Sequence, residues 1–263
     1  MALTDFHNHL IPGVDDGAQD IAESRAGLEA MFESGVRSLV MTPHLQGSLT
    51  RRPEALAERL AELDAGWTRL TDELACEFPE MRLGRGAEVM LDTPEPDFSD
   101  ARVRLNGGPF VLVEFPFMTV PPQAERVLSA IRMGGWMPIL AHPERYGGLD
   151  ADVRAPGEWR RFGAYLQVNA GSILGRYGES ARRIALTLLE RGWVDYIASD
   201  YHARGRAHLR ACRARLEEMG GAEHAHVLME VNPARILEGE PPLPVPPLRT
   251  KRGLLARIAG VFR

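Results

Sequence analysis

Seven short apolar runs separated by longer helical patterns constrain the fold of this chain more than any other feature. Each run has the length of a strand, and the segments between them repeat apolar residues at helical spacing, as in 21–34, 53–74 and 180–191. Strands that alternate with helices form parallel sheets, and 263 residues suffice for such a sheet to close. We therefore predict an α/β fold and favour a closed βα barrel over an open sheet. The predicted strands are 3–7, 36–41, 82–89, 110–114, 137–142, 165–169 and 194–200.

The C-terminal end differs in composition from the rest of the chain. Residues 240–247 read EPPLPVPP, which cannot continue a helix and predicts an extended segment. We accordingly divide the chain into a barrel at 1–239, a proline-rich linker at 240–248 and a basic amphipathic tail at 249–263. The tail has five basic residues and no acidic ones: Arg249, Lys251, Arg252, Arg257 and Arg263. Two interpretations stay open, a helix that contacts a membrane or a membrane-bound kinase, or a terminus that packs back on the barrel or frays.

The motif Asp5-Phe6-His7-Asn8-His9 comes at the end of the first predicted strand. Residues two apart on a strand point to the same side, so His7 and His9 can bind one metal ion through their imidazole nitrogens. Asp5 is placed to orient one of these ligands. Taken alone, the motif is more often two surface histidines than a metal site.

Metal-binding side chains recur at the ends of later strands, and this repetition supports the interpretation of the first motif as part of a metal site. In a βα barrel the carboxyl ends of all strands meet at one face, where active sites lie. A single buried His or Glu is usually structural, but six of the seven predicted strands end in such groups. We therefore predict a site for two or three divalent ions. The later candidates are His44, Glu88, Glu114, His142, Asp200 and His202.

The charge of the predicted site favours a phosphate group. Four carboxylates, from Asp16, Glu88, Glu114 and Asp200, would leave the site positive when three divalent ions are bound. A phosphate dianion is attracted to such a centre even in a chain whose net charge is −5.

Several classes of protein are disfavoured. The net charge of −5 argues against a nucleic-acid partner. No apolar run is long enough to span a membrane, and the N-terminus lacks the pattern of a signal peptide. The two cysteines, Cys76 and Cys212, predict a reducing cytoplasmic location. Neither lies in a glycine-rich loop, so a thiol phosphatase is not expected.

These motifs together resemble the polymerase and histidinol phosphatase (PHP) superfamily of metal-dependent phosphoesterases. The matching stretches span 5–237 and include DFHNHLIPGVDDG, GVRSLVMTPH, GAEVMLD, VLVEFP, PILAHPERY and VDYIASDYH. VDDG and HPERY are most similar to the bacterial manganese-dependent protein tyrosine phosphatases that control capsule and exopolysaccharide synthesis.

The resemblance implies a distorted seven-stranded βα barrel and a partition of the ligands among three ions. One ion would be held by His7, His9, Glu88 and Asp200, and Glu88 would bridge to a second ion that Glu114 and His142 also bind. The third would be held by His44, His202 and an aspartate of VDDG, for which we favour Asp16 over Asp15. Manganese is the expected metal, with iron, zinc and magnesium as alternatives because their ligand preferences overlap.

The resemblance also implies the catalytic roles. Arg145 and Arg206 match the phosphate-binding arginines of the family, and Asp200 or a metal-bound water would protonate the leaving group. The expected substrate is a phosphotyrosine protein, in particular a membrane-associated bacterial tyrosine kinase. The alternatives are another phosphoesterase, such as one acting on histidinol phosphate, and a metal-binding regulatory module without activity.

Overall fold

The structure is a computed structural model that describes residues 2–149 and 153–249 of the chain. All strand pairs in it are parallel. The strands are β1 (Leu3–Asp5), β2 (Val36–Met41), β3 (His44–Gln46), β4 (Arg82–Arg85), β5 (Glu88–Met90), β6 (Phe110–Glu114), β7 (Met137–Ala141), β8 (Tyr165–Asn169) and β9 (Tyr196–Ala198).

These strands follow one another around a barrel. β1 pairs with β2 and β2 with β4, while β3, β5, β6, β7, β8 and β9 form a second series in that order. The two series are continuous, since Gly86 N donates to Met41 O at 2.9 Å and Glu88 N to Pro43 O at 3.0 Å. Backbone bonds also join the segment after β9 to the segment after β1: Asp200 N donates to His7 O at 2.8 Å, and His9 N donates to Tyr201 O at 2.9 Å.

The fold prediction is confirmed, with differences in detail. Each of the seven predicted strands is present, with ends that differ by at most two residues. The strand predicted at 82–89 is divided into β4 and β5, and β3 was not predicted. Pro43 interrupts the ladder between β2 and β3 because it has no amide hydrogen to donate, so the two segments form one interrupted barrel strand.

Helices surround the barrel and cover its outer face. Asp20 caps α1, where its carboxylate accepts from Ala22 N and Glu23 N, both at 2.9 Å. Pro53 opens α2, a position at which the missing amide hydrogen costs nothing. The helices are α1 (Ile21–Glu33), α2 (Pro53–Leu74), α3 (Ala124–Met133), α4 (Arg154–Arg161), α5 (Ala170–Ile173), α6 (Gly178–Glu190), α7 (Leu209–Glu218), α8 (Ala222–His226) and α9 (Asn232–Leu237).

Side-chain alternation along the strands divides the core into two layers. On β6, Val111 and Val113 pack in the larger cluster between strands and helices, whereas Phe110 and Leu112 belong to a smaller cluster with other strand residues. Glu114 is in phase with Phe110 and Leu112, so it faces the barrel interior at the carboxyl end of the strand.

The proline-rich segment is neither helix nor strand, and it packs against the barrel. Val245 and Leu248 are buried, and Leu248 N donates to Leu189 O at 2.9 Å. Contacts with the barrel therefore continue beyond the boundary that we predicted at residue 239. The predicted tail at 249–263 lies outside the described residues except for Arg249. Every helix within 2–149 and 153–249 is too short or too polar to cross a membrane.

Candidate metal centre

The structure brings all nine predicted metal-ligating side chains together at the carboxyl end of the barrel. They fall into four overlapping groups, in each of which the candidate ligand atoms lie within 4.8 Å of one another. We call these side chains the nine-residue cluster: His7, His9, Asp16, His44, Glu88, Glu114, His142, Asp200 and His202.

Glu88 lies at the centre of this cluster and is fully buried. Its Oε1 lies 3.1 Å from His7 Nε2 and 3.1 Å from His142 Nε2. Its Oε2 lies 3.1 Å from His44 Nδ1 and 3.5 Å from His9 Nε2. A carboxylate with histidine nitrogens around both oxygens is suited to bridge two cations.

Two edges of the cluster are formed by Asp200 and by Glu114. Asp200 Oδ1 lies 3.4 Å from His7 Nε2 and 3.6 Å from His9 Nε2. Glu114 Oε1 lies 3.4 Å from His44 Nδ1. A further group of candidate ligands, around Asp16, consists of His9, Asp16, His44 and His202. His44 therefore takes part in two groups, whereas the resemblance placed it with a single ion.

The two aspartates of VDDG have different surroundings. Asp16 Oδ1 lies 3.4 Å from His44 Nε2 and 3.4 Å from His202 Nε2. Asp15 Oδ2 instead accepts from His9 Nδ1 at 2.7 Å and from His44 N at 3.1 Å. Asp15 is thus placed to orient His9, so that His9 Nε2 faces the cluster. Asp16 therefore faces the two histidines with which it was predicted to bind an ion, and Asp15 supports His9.

Two of the side chains are directed into the cluster by unusual backbone conformations. His142 (φ +36°) and Asp200 (φ +53°) follow β7 and β9 and are both left-handed. A non-glycine residue in this region is strained, and such strain often occurs at functional sites. The sharp turn after each strand keeps these side chains at the barrel end.

A chain of amide side chains supports the cluster, and the sequence analysis missed it. Gln167 Nε2 donates to Asn169 Oδ1 at 2.8 Å, and Asn169 Nδ2 donates to Asp200 Oδ2 at 2.7 Å. The carboxylate of Asp200 can only accept hydrogen bonds, and this sets the donor and the acceptor of every hydrogen bond in the series. His7 Nδ1 therefore donates to Gln167 Oε1, at 2.8 Å. His7 Nε2 is therefore the nitrogen that faces the cluster. The signal in the sequence was the pair of polar residues two apart on the otherwise apolar β8.

Asp5 has a different role from the one predicted. It is fully buried and accepts from Ser199 N at 2.7 Å, Ser199 Oγ at 2.9 Å and Asn8 Nδ2 at 3.1 Å. It contacts neither imidazole of the first motif through a hydrogen bond. Asp5 instead fixes the residue before Asp200 and so acts on the β9 side of the site.

Glu144, which follows His142 by two residues, is a second supporting group that the sequence analysis missed. Its Oε1 accepts from Ser172 Oγ at 2.6 Å and from Asn169 N at 3.0 Å. Burial raises the pKa of this carboxyl. Glu144 thus ties the turn after β7 to the end of β8.

The donor set of the described cluster fits divalent cations. Three fully buried atoms at its centre lack a hydrogen-bond partner: His7 Nε2, His9 Nε2 and Glu88 Oε2. Burial lowers the pKa of His7, but the carboxylates of Glu88 and Asp200 outweigh burial and raise it to about 10. The pKa of His44 is likewise raised to about 11, since Glu114 and Glu88 outweigh burial. The carboxylates therefore stabilise positive charge here, which metal ions would supply in place of protons.

The two predicted arginines lie in different positions. Arg145 Nη1 donates to Asp200 Oδ2 at 2.6 Å, and its guanidinium lies 4.2 Å from the centroid of the Tyr177 ring. Arg145 is thus held at the edge of the cluster with other N–H groups available. Arg206 lies exposed in the loop after His202, and among the ion pairs between described residues none joins it to the cluster.

A cleft of about 490 Å³ opens beside His44 and Glu114. Arg59 lines it, and Arg59 Nη2 donates to Val14 O at 2.8 Å and to His44 O at 3.1 Å. The remaining lining is mainly apolar. The other lining residues are Val14, Asp15, Leu45, Gln46, Leu49 and Met90.

The cysteines are remote from this chemistry. Cys212 is buried in α7, and burial raises the pKa of its thiol to about 12. Cys76 is exposed after α2. Neither belongs to the described metal-binding groups.

The sequence profile of the CpsB/CapC proteins of capsular polysaccharide synthesis matches residues 3–238. The chain belongs to the CpsB/CapC family. This result confirms the family resemblance found in the sequence motifs, and it covers the barrel with all nine side chains of the cluster.

Relatives of this CpsB/CapC protein include two named tyrosine-protein phosphatases. YwqE of Bacillus subtilis is 28% identical over 254 residues, which are 95% of this chain and 97% of YwqE. CpsB of Streptococcus pneumoniae is 29% identical over 244 residues, which are 89% of this chain and 98% of CpsB.

Solved structures also resemble this CpsB/CapC barrel. YwqE and CpsB have crystal structures and are described there as unique metal-dependent tyrosine phosphatases. One chain from these structures superposes on this protein with a TM-score of 0.78 at 28% sequence identity. The superposition covers 95% of this chain and all of the other. The phosphotriesterase homology protein of Escherichia coli superposes with a TM-score of 0.51 at 16% identity, covering 89% of this chain and 98% of that one. The second likeness concerns the barrel fold alone.

Proposed function

We propose that this protein is a metal-dependent protein tyrosine phosphatase that hydrolyses phosphotyrosine on a protein substrate. The observation that carries the proposal is the nine-residue cluster with Arg145 at its edge. The proteins YwqE and CpsB, which this chain matches along nearly their whole length, are named tyrosine-protein phosphatases.

The cluster would hold two or three divalent ions, with Mn²⁺ as the first expectation and Fe, Zn or Mg as alternatives. Glu88 would bridge two ions, since histidine nitrogens lie within 3.5 Å of each of its two oxygens. When bound, such ions lower the pKa of a coordinated water toward neutrality and offset the charge of phosphoryl oxygens.

The protein's own groups would position the phosphoryl group and neutralise its charge. Arg145 is kept in place by Asp200 on one side and the Tyr177 ring on the other, and its free N–H groups can form charge-assisted bonds to phosphate oxygens. Arg206 would approach from the loop after His202, as the resemblance implies.

Asp200 is better suited to bind metal and orient Arg145 than to donate a proton. Burial raises the pKa of Asp200, but His7 and His9 outweigh burial and hold it well below its usual value. A carboxyl in this state is ionised at neutral pH. A tyrosinate leaving group, with a pKa of about 10, needs less protonation than an alkoxide does.

The physiological substrate that we propose is a membrane-associated bacterial tyrosine kinase in capsule or exopolysaccharide synthesis. The phosphatase would bind this kinase on the cytoplasmic side of the membrane. The basic tail at 249–263 would contribute by contacting an anionic membrane surface. A chain that ends at Arg249 should then hydrolyse a phosphotyrosine peptide normally and no longer bind anionic vesicles. Vesicle binding equal to that of the full chain would remove the tail from the proposal.

Kinetics on a panel of substrates would test the activity itself. Turnover should be highest on phosphotyrosine peptides, be abolished by a chelator and return with Mn²⁺. Preference for histidinol phosphate would instead indicate another phosphoesterase of the superfamily. No turnover on any phosphomonoester by a metal-loaded protein would indicate a regulatory module.

A further inference from the structure

The cleft beside His44 and Glu114 lies next to the cluster but differs from it in chemistry. We infer that this cleft binds the aromatic ring of the phosphotyrosine substrate, and we call it the aryl cleft. The inference rests on the proposed phosphatase function and specifies which surface would give that function a preference for aryl esters.

Continuity with the cluster is the first argument. His44 and Glu114 line the cleft, and both belong to the group that they form with Glu88. His44 Nδ1 lies only 3.1 Å from Glu88 Oε2. The ester oxygen of a phosphoryl group held at the cluster therefore has direct access to the cleft.

The position of Arg145 is the second argument. Arg145 contacts Asp200, which neighbours His7, whereas the cleft is bounded by Glu114, which neighbours His44. The arginine and the cleft thus lie at opposite ends of this series of contacts. A phosphoryl group that reaches Arg145 would direct its ester oxygen away from the guanidinium and toward the cleft.

The lining of the cleft is the third argument. Val14, Leu49 and Met90 line it and are only partly buried, so they present apolar surface to its interior. The volume of about 490 Å³ lies within the usual range of small-molecule sites, roughly 300–1,000 Å³. An aromatic ring would bury this apolar surface, whereas the short side chain of a seryl ester would not extend into the cleft.

The cleft is also preformed. Arg59 on α2 bonds to the backbone of Val14 and of His44, which lie on different segments of the lining. A Cβ at Gly47 would lie 2.7 Å from Met90 O, so glycine permits the close approach of these two segments. A preformed site loses less free energy on ordering when it binds a ligand.

Two substitutions in the cleft test the inference. Gln46→Trp would fill the cleft from an exposed position, and Met90→Ala would remove one apolar wall. Met133→Trp serves as the matched control, because Met133 is 82% exposed on α3. Each protein, loaded with Mn²⁺, is assayed on a phosphotyrosine peptide for KM and for inhibition by inorganic phosphate, which has no aryl group. Metal content and Tm are measured alongside.

The aryl cleft predicts that KM for the peptide rises by about tenfold in both cleft variants. The inhibition constant of inorganic phosphate should stay within about twofold, since the phosphoryl position does not use the cleft. Unchanged KM in folded, metal-loaded variants would overturn the inference while leaving the phosphatase proposal intact. A wild-type protein that does not hydrolyse the peptide would overturn the phosphatase proposal itself.

Discussion

Arg145 is the residue whose surroundings most clearly indicate a function. It is ordered by an ion pair with Asp200 and by the ring of Tyr177, and a guanidinium, which is always protonated, does not itself bind a metal ion. We predict that Arg145→Ala retains its metal and loses roughly 10²–10³ in turnover, as when one transition-state charge contact is removed. Steady-state kinetics with elemental analysis would measure both.

A matched variant gives the control for Arg145. Arg161→Ala removes an arginine whose side chain is 77% exposed on α4 and should leave turnover unchanged. Arg145→Lys keeps the charge without the planar fork and should recover only part of the loss. Wild-type turnover in Arg145→Ala would exclude this arginine from the reaction.

Gln167 provides a second test at the residue scale, because it acts on the metal through His7. Gln167→Leu removes the acceptor of His7 Nδ1, so the imidazole loses its fixed orientation. We predict a loss of roughly 10–100-fold in metal affinity, measured by competition with a chelator. Gln167→Glu keeps an acceptor for His7 Nδ1 but loses the donor to Asn169 Oδ1, so it should restore only part of the affinity. Equal affinities in both variants would contradict the proposed role.

At the scale of secondary-structure elements, Asp195 joins α4, β8 and the start of β9. Its carboxylate accepts from Leu166 N at 2.8 Å and pairs with Arg160. Burial raises its pKa from 3.8 to about 6. The folded protein therefore binds this proton more tightly than the unfolded chain does. The resulting stabilisation is complete below about pH 4 and is lost as pH rises to about 6.

Asp195→Asn isolates this contribution. We compare the free energy of unfolding of the wild type with that of the variant at each pH. The difference between them should fall by up to about 3 kcal/mol as pH rises from about 4 to about 6, and then stay constant. Urea titrations in the same chelating buffer would measure it, and other groups such as Asp5 cancel in the difference. A difference that is constant over this range would show that Asp195 has an ordinary pKa in the folded state.

The strands and the metal-binding side chains that cluster at their ends were predictable for the same local reason. An apolar run such as 110–114 that ends in a carboxylate reveals both a buried strand and a polar group at its end. The supporting groups were not predictable, because their roles depend on contacts distant in sequence. Gln167 is 160 residues from His7, and neutral amides do not indicate metal binding. Asp5 and Asp15 are acidic neighbours of the histidines, and only the structure shows which partner each one binds.

At the scale of the whole molecule, the segment after α9 completes the barrel's surface. The composition of 240–247 predicted that no helix continues there, but it did not predict the packing, which depends on residues such as Leu189 and Asn232. Leu243 N donates to Asn232 Oδ1 at 2.8 Å. The segment therefore contributes to stability and does not act only as a tether.

Two truncations separate these roles. Ending the chain after Glu240 exposes the surface that covers Val245 and Leu248 and should lower the free energy of unfolding by roughly 3 kcal/mol. Ending it after Arg249 should leave that free energy unchanged. Urea unfolding would measure both, and equal stability of the two truncated chains would show that the packed segment contributes nothing.

We propose that the nine-residue cluster holds the divalent ions on which hydrolysis of phosphotyrosine depends. The most direct test is elemental analysis of the wild type and of Glu88→Gln after dialysis against Mn²⁺, with turnover on a phosphotyrosine peptide measured on the same samples. Glu88→Gln keeps the size of the side chain but removes the charge at the centre of the cluster. We predict at least two ions per wild-type chain, and loss of both metal and turnover in the variant. Full turnover in a protein free of metal, or in Glu88→Gln, would show that the cluster does not hold catalytic metal ions.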